Sequence, residues 1–389
     1  MVVYLLFQKN SSNNEIIKLG KDYKVNEFTD ERTYFEIIQE FININANGTL
    51  IYNKKRFKKS KNPKISIIIT VHNAEAFIKS AVRNVQNQDF QDIEMIIIED
   101  DSKDASVKII KELMKEDPRI VFLQNEGNRG YLYTLIKGVL NSKGKYILIL
   151  DVDDFFSVEN TFSIIYEEAE KNNLDMLRFG ATQGILDMNT YKYTHTSFYH
   201  YYETSILSQP EISEKAYIKN GNGDIIGIKD VLWGNLIKSE LFIRVVNEID
   251  KKFLNIINNS CADNFLYFIL TKRAKNFKNI KKLLYVTIQT KKSNSSLVTY
   301  FTEEKFMVRD LYHCPAFLNY IEFTFIKSDN DFALPSFALQ KFFLNNRCRH
   351  DKNIRNDAIT ICKLFLDNQN INNNLKDKIK VFLNEANEK

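Results

Sequence analysis

Lys143-Gly144-Lys145-Tyr146-Ile147-Leu148-Ile149-Leu150-Asp151-Val152-Asp153-Asp154-Phe155-Phe156 is an apolar run that stops abruptly on three carboxylates. The segment from Tyr146 to Leu150 is too short for a lone helix and lacks polar alternation, so it reads as a strand buried on both faces of a parallel sheet. Ligands of open α/β sheets sit beyond the carboxyl ends of such strands. Asp151, Asp153 and Asp154 are therefore expected at one rim. Like charges gathered there repel unless a cation or hydrogen-bond donors intervene, and hard oxygen ligands suit Mg or Mn. The competing reading is a polar strand-to-helix turn in which Asp154 or Ser157 caps the helix that follows.

Upstream of this run, strands and helices alternate. Ile65 to Thr70 is a buried-strand pattern, followed by Val71-His72-Asn73-Ala74 and a helix carrying Phe77, Ile78, Ala81, Val82 and Val85. Met95 to Ile98 is the next strand, ending in Glu99-Asp100-Asp101-Ser102-Lys103-Asp104, and Val107, Ile110, Leu113 and Met114 mark a second helix. Ile120 to Leu123 leads into Asn125-Glu126-Gly127-Asn128-Arg129-Gly130, and a third helix presents Leu132, Leu135, Ile136, Val139 and Leu140. Such alternation requires right-handed crossovers and a mostly parallel sheet with helices on both faces. The loops after successive strands then share one rim and form a nucleotide-sized cleft.

The 389 residues, 44% hydrophobic and 13% aromatic, can bury one large core or two modest ones. No apolar stretch has the length to cross a bilayer, and Val2 to Phe7 lacks the basic flank and length of a signal peptide, so a soluble cytoplasmic chain is expected. Cys261, Cys314, Cys348 and Cys362 show neither paired ligand spacing nor a disulfide framework, and free buried thiols are the default. Lys54, Lys55, Arg56, Lys58, Lys59, Lys61 and Lys64 supply more positive charge than the formal net charge of +5. The body of the protein is therefore not basic, and nucleic acid is not expected as a partner. The basic run reads as a solvated linker, with peripheral contact to the cytosolic face of a membrane as its other reading.

Three motifs in order carry a resemblance: Ile-Ser-Ile-Ile-Ile-Thr-Val-His-Asn from Ile65, Met-Ile-Ile-Ile-Glu-Asp-Asp-Ser-Lys-Asp from Met95, and Gly-Lys-Tyr-Ile-Leu-Ile-Leu-Asp-Val-Asp-Asp from Gly144. The series resembles the family 2 glycosyltransferases of the GT-A fold, strongly over about residues 65 to 180 and weakly over 181 to 300. The resemblance implies an α/β, Rossmann-like fold and an inverting transferase that uses a nucleotide-sugar donor, with a UDP-sugar favoured, and Mn or Mg. It moves a hexose or amino-hexose to a hydroxyl of a glycan, lipid or protein. Thr70, Val71, His72 and Asn73 match the first-strand turn around the nucleoside, and Glu75 matches the acid that follows it. Asp100 matches the acid facing the base. Asp151, Val152 and Asp153 match the Asp-x-Asp element near ribose and metal, with Asp153 and Asp154 expected to hold the metal.

The second half is harder to read. Glu159 to Lys171 is expected as a helix and Leu174 to Phe179 as a strand, while the Tyr- and His-dense stretch from Tyr191 to Tyr202 receives no role. Trp233-Gly234, within Asp230 to Leu236, resembles the family's segment beside the acceptor. Asp263, in Ser260-Cys261-Ala262-Asp263-Asn264-Phe265, matches the catalytic base, with a plain helix N-cap as its rival, and Asp224 and Asp230 are the fallback carboxylates. Lys291 to Ser296 resembles a tail that closes over the diphosphate. Several positions depart from the pattern: Glu99 stands where relatives mostly have Asp, Ala262 replaces a Glu, and Leu135-Ile136 replaces an Arg-Asn pair that reaches the diphosphate. Arg129 with Gly130, or Lys137, are the candidates to substitute. These departures leave open a catalytically silent nucleotide-sugar-binding or scaffolding protein.

The division that follows has a prelude and basic linker over 1–62, a glycosyltransferase domain over 63–300 with a nucleotide half (63–180) and an acceptor half (181–300), and a helical extension over 301–389. The extension is expected to serve as scaffold or as contact in a homo-oligomer.

Overall fold

The computed structural model describes residues 57–187, 189, 192–199, 204–215, 217–219, 225–228, 232–249 and 262–289, with scattered positions between 359 and 384. The prelude before residue 57, the tail at Lys291 to Ser296, the carboxylates Asp224 and Asp230, and nearly all of the extension lie outside the described residues. The described positions between Ile359 and Asn384 are helical.

Four parallel strands form the first half of the sheet: β1 (Ile65–Val71), β2 (Ile93–Glu99), β3 (Ile120–Gln124) and β4 (Tyr146–Ile149). They lie in the order β3-β2-β1-β4, so the first crossovers run outward from β1 and the third returns to its other side. All of β4 and nearly all of β1 and β2 are buried, which is why these strands are Ile-rich runs without polar alternation. Ile68, Ile96, Ile98, Ile147 and Ile149 face one layer of helices, whereas Ile67, Ile69, Met95, Ile97 and Leu148 face the other. Helices α1 (Ile78–Gln86) and α2 (Ser106–Glu116) cover the second face, and α3 (Tyr131–Leu140) covers the first. Gly138 allows α3 to lie this close: a Cβ there would stand 2.8 Å from side-chain atoms of both Ile68 and Ile98.

Beyond β4 the sheet stops being parallel. After β5 (Phe155–Phe156) and α4 (Thr161–Lys171) come the long β6 (Met176–Asp187), its antiparallel partner β7 (Lys192–Tyr199) and the short β8 (Ile206–Leu207). Helix α5 (Glu211–Lys215) and the separate pair β9 (Tyr217–Lys219) and β10 (Ile225–Ile228) follow. The strand β11 (Asn235–Lys238) then inserts antiparallel between β4 and β6, and α6 (Ser239–Glu248) and α7 (Ala262–Arg273) pack on the face of α3. The last strand, β12 (Phe277–Gln289), runs parallel to β6 and antiparallel to β5, giving the order β3-β2-β1-β4-β11-β6-β12-β5.

Three expectations change. The sheet is mixed rather than mostly parallel on its β6 side, because β11 enters from later in the chain. The stretch at 191–202 contains β7, a strand paired with β6. The division at residue 180 falls inside β6, and one sheet runs through both halves of residues 63–300.

Candidate active site

The loops after β1, β2, β3 and β4 meet at the carboxyl rim, and the first two are zipped together by side chains. Asn73, held at φ 51°, donates its N–H to Ser102 Oγ (3.0 Å) and accepts the Lys103 N–H at Oδ1 (2.7 Å). Glu75 donates its N–H to Asp104 Oδ2 (2.9 Å) and accepts the Ala105 N–H at Oε2 (2.8 Å). His72 Nδ1 lies 2.6 Å from the Asp100 carbonyl oxygen. Of the residues expected around the nucleoside, Asn73 and Glu75 thus use side-chain oxygens to join the two loops. Thr70 is half-buried at the end of β1, and Val71 is buried.

Asp100 is buried, and its carboxylate is the anchor of the third loop. Its Oδ1 accepts the Arg129 N–H (2.7 Å) and the Asn125 amide (2.9 Å), and its Oδ2 accepts the Gly130 N–H (2.9 Å). Gly130, at φ 79°, immediately precedes α3, so Asp100 occupies the place an anion takes at a helix N-terminus. With three donors in place, only part of the acceptor capacity of Oδ2 is left to face a ligand. The Arg129 guanidinium lies over the Tyr133 ring at 4.3 Å. Lys137 points its Nζ to the Gln124 carbonyl (2.8 Å) and Asn125 Oδ1 (3.0 Å), which ties it to the end of β3. Leu135 and Ile136 are core residues, so nothing at those positions reaches the rim.

The carboxylate run forms a tight turn in which the Asp154 N–H meets the Asp151 carbonyl at 3.0 Å. Asp151, Val152 and Asp153 are half-buried, while Asp154 is buried. Asp154 Oδ1 accepts the Ile288 N–H (2.7 Å), and its carboxylate also accepts the Tyr285 hydroxyl. Ser157 Oγ donates to the Leu283 carbonyl (2.8 Å). The capping alternative for this turn is therefore overturned: α4 begins at Thr161 after Asn160, its first-turn Phe162 N–H is accepted by Gln88 Oε1 (3.3 Å), and both Asp154 and Ser157 are tied to β12. Burial pushes the Asp153 carboxyl up to about 6. Burial, then the charges of Asp153 and Asp151, push Asp154 well above the usual carboxylate range.

Tyr285 was not legible as a site residue. It is fully buried on β12 just after two register shifts in its pairing with β6, and its hydroxyl oxygen also accepts the Asp151 N–H (3.2 Å). Burial, followed by the charges of Asp154 and Asp151, raises its pKa well above the ordinary tyrosine value. Its ring stacks on Trp233, with centroids 5.4 Å apart and planes 4° from parallel. Trp233 and Gly234, expected on the acceptor side, are thus brought against the carboxylate turn. No sequence signal marks Tyr285, because its role depends on the register of a strand from the far end of the domain.

Asp263 lies in the first turn of α7, so the helix begins before it rather than after it. Its side chain lies outside the described residues. Because Phe277, just beyond α7, pairs with Met176 at the start of β6, α7 runs from the rim toward the opposite edge, which places Asp263 at the rim end. Four residues on, the buried Tyr267 accepts Arg178 Nη1 at 3.1 Å, and Arg178 Nε reaches Asn279 Oδ1 at 2.8 Å.

A sheet whose parallel half gathers four strand-end loops and a carboxylate turn at one rim agrees with the comparisons to known proteins. Residues 66–227 match the model of glycosyl transferase family 2. Residues 66–227 thus carry a glycosyl transferase family 2 domain. An uncharacterized glycosyltransferase of Bacillus subtilis (strain 168), EpsJ, is 30% identical over 182 residues, 47% of this chain and 50% of that one. GlyA, a glycosyltransferase of Streptococcus pneumoniae serotype 4, is 28% identical over 192 residues, 48% of this chain and 26% of its own. The GalNAc(5)-diNAcBac-PP-undecaprenol beta-1,3-glucosyltransferase of Campylobacter jejuni is 32% identical over 93 residues, 24% of this chain and 28% of that one. The matched region spans half or less of the length of these curated relatives. Among solved structures, S. aureus TarS 1-349 in complex with UDP-GlcNAc aligns with a TM-score of 0.50 at 16% identity, covering 84% of this chain and 87% of that one. That likeness is one of fold, and it agrees with a GT-A glycosyltransferase architecture.

No helix among the described residues is long and apolar enough to cross a membrane. Among the same residues, no three His, Cys, Asp or Glu side chains form a group that could hold a metal ion by themselves.

Proposed function

We propose that the protein transfers a hexosyl or N-acetylhexosaminyl group, with inversion, from a nucleotide-sugar to a hydroxyl acceptor, and that the donor is a UDP-sugar. The observation that carries this reading is the Asp151–Asp154 turn: a family 2 domain gathers hard carboxylate oxygens, two of the carboxyls holding their protons more tightly through burial, at the rim where its strand-end loops converge. The UDP-GlcNAc held by the S. aureus TarS structure supports the choice of donor. The undecaprenol-linked glycan in the name of the Campylobacter relative supports a lipid-linked or free glycan among the glycan, lipid and protein acceptors.

The donor set fits Mg or Mn. Asp154 is already engaged by Ile288 and Tyr285, which leaves Asp153 as the freer carboxylate with Asp151 beside it. One or two carboxylates completed by diphosphate oxygens and water is the ordinary way such cations are held. When bound, the cation supplies neutralisation of the charge that builds on the departing diphosphate.

The remaining work falls to the chain. The loop pair joined through Asn73 and Glu75 frames the nucleoside, and Arg129, at the edge of the third loop with its guanidinium over the Tyr133 ring, takes the place of the missing Arg-Asn pair. Asp263 takes the proton from the acceptor hydroxyl as that oxygen bonds to the anomeric carbon and the bond from that carbon to the diphosphate breaks. The proton ends on Asp263, and the electron pair leaves with the nucleoside diphosphate.

Calorimetric titration of UDP, GDP and UDP-GlcNAc with Mn and with chelator, followed by an assay of UDP release, tests the reading. UDP should bind more tightly with Mn than with chelator, and UDP-GlcNAc should turn over. Absence of nucleotide binding under every condition overturns it. The burial of Leu135 and Ile136 in the core favours one alternative, a silent nucleotide-sugar-binding protein. Tight UDP binding without turnover of any donor selects that alternative.

A further inference from the structure

Two parts of the site that are far apart in sequence meet on one side chain. Tyr285 joins the backbone of Asp151 and the carboxylate of Asp154 through its hydroxyl, and it lies flat on Trp233 through its ring. On its other side the ring packs edge-on against Phe156, 5.5 Å away, and Phe156 is pinned to α1 by two bonds with the Asn84 amide (2.8 and 3.0 Å). The ring is therefore clamped between the exit of the carboxylate turn and the indole. The register shifts in β12 between Ile280 and Leu283, and again before Tyr285, are the local irregularity that re-aims such a side chain in a strand.

We propose that Tyr285 is a positioning residue that makes the carboxylate turn and Trp233 one mechanical unit, so that the donor-side acids and the acceptor-side indole take up their working geometry together. The inference rests on the family reading above for what the turn binds, but the linkage itself is a property of the free protein. A hydroxyl that serves one backbone N–H and one carboxylate fixes both ends of the four-residue turn Asp151–Asp154. A ring stacked on the indole transmits any shift of that turn, because interiors are close-packed and a displaced ring has no void to enter.

Trp233 is the single tryptophan of the chain, so its fluorescence reads the stack without interference. In the free protein, Asp154→Asn should shift the emission of Trp233 while Tyr285 is present. The same substitution should leave the emission unmoved in a Tyr285→Phe background, which keeps the ring and deletes the hydroxyl. Added to this double-mutant cycle, UDP with Mn should change the emission of the parent and lose that effect in Tyr285→Phe. For UDP-GlcNAc turnover, Tyr285→Phe should lose about tenfold to 100-fold in kcat, the range that misplacement of a reacting group produces, with donor KM changed by less than about threefold.

An equal emission shift in both backgrounds overturns the proposal, as does a KM rise with kcat unchanged. If Tyr285→Phe does not fold, Asp154→Asn in the parent still decides: no emission change means that the turn and the indole are uncoupled. If the parent binds no UDP, the transferase reading fails, while the free-protein arm still measures the linkage.

Discussion

Asp100 and Asp153 are both acids at the ends of strands that flank β1, and the structure uses them in opposite ways. Asp100, in the parallel half of the sheet, is buried with three donors on its two oxygens, and it holds the loop before α3. Asp153, where the sheet turns mixed, is half-buried and its proton is held more tightly than usual because burial disfavours its charge. The contrast teaches that an acid's place in a motif does not say whether its charge is already neutralised by the fold. An acid satisfied by backbone N–H groups shapes the site, and one left wanting a cation is free to bind.

The strongest way to break this picture is at Asp263, outside both classes. Asp263→Asn should lower turnover by about 100- to 10,000-fold, the usual contribution of a general base, with UDP affinity unchanged by calorimetry. An amide cannot take the proton, yet it caps a helix nearly as well as a carboxylate. Parental turnover would therefore return Asp263 to a structural role.

The comparison itself is sharpened by paired alanine variants. Asp153→Ala should abolish the Mn-dependent part of UDP binding and leave the denaturation midpoint close to the parent's. Asp100→Ala should do the reverse, costing about 1–3 kcal/mol of stability for the donors left unpaired, with Mn still strengthening whatever UDP binding survives. Urea denaturation and calorimetry on the same two proteins check both halves. If the effects are exchanged, the division of labour drawn here is wrong.

A smaller effect should appear in the pH dependence of stability when chelator is present. The folded chain holds the Asp153 proton up to about pH 6, against an ordinary value of 3.8, so the folded state binds more protons than the unfolded one between those values. The Asp153 contribution should therefore make stability fall as pH rises from about 4 to about 6 and then level off. Asp153→Asn should flatten that slope, and an unchanged slope would count against a desolvated carboxyl. Smallest of all, Ser157→Ala should cost about 0.5–1.5 kcal/mol through its lost bond to Leu283, with the helical circular dichroism signal unchanged, because the residue is tied to β12 and does not cap α4.

The parallel half was legible because two-faced burial writes itself into sequence. Ile65 to Thr70 and Met95 to Ile98 are apolar runs that needed no partner to be recognised, and the observed strands exceed them by one to three residues. The mixed half was not. Asn235–Lys238 is four residues of no distinct pattern, and it becomes a strand only because β4 and β6 leave a slot on either side. Tyr191 to Tyr202 received no role, because among the described residues β7 pairs only with β6, and an edge strand tolerates the polar residues that hide its pattern. In the site, the acids were found by type and spacing. Which of them the fold had already satisfied depended on N–H groups of Arg129, Gly130 and Ile288, which carry no side-chain signature.

The insertion of β11 between β4 and β6 also bears on the order in which the molecule can be assembled. Strands β1, β2 and β3 pair across 25 to 28 residues (Met95 with Ile120, Ile65 with Ile93) and can close their hydrogen bonds early, while β4 closes on β1 only across 81 (Ile65 with Tyr146). The outer edge of β4, however, waits for Leu236 and Ile237, and the turn beyond it waits for Tyr285 and Ile288. Contacts of such long sequence separation form late, since the entropy of closing the intervening loop must be overcome first. A chain emerging from the ribosome would join the loops after β1 and β2 well before the carboxylate turn is fixed in place, so that turn is completed last, together with the strands that follow the matched region 66–227.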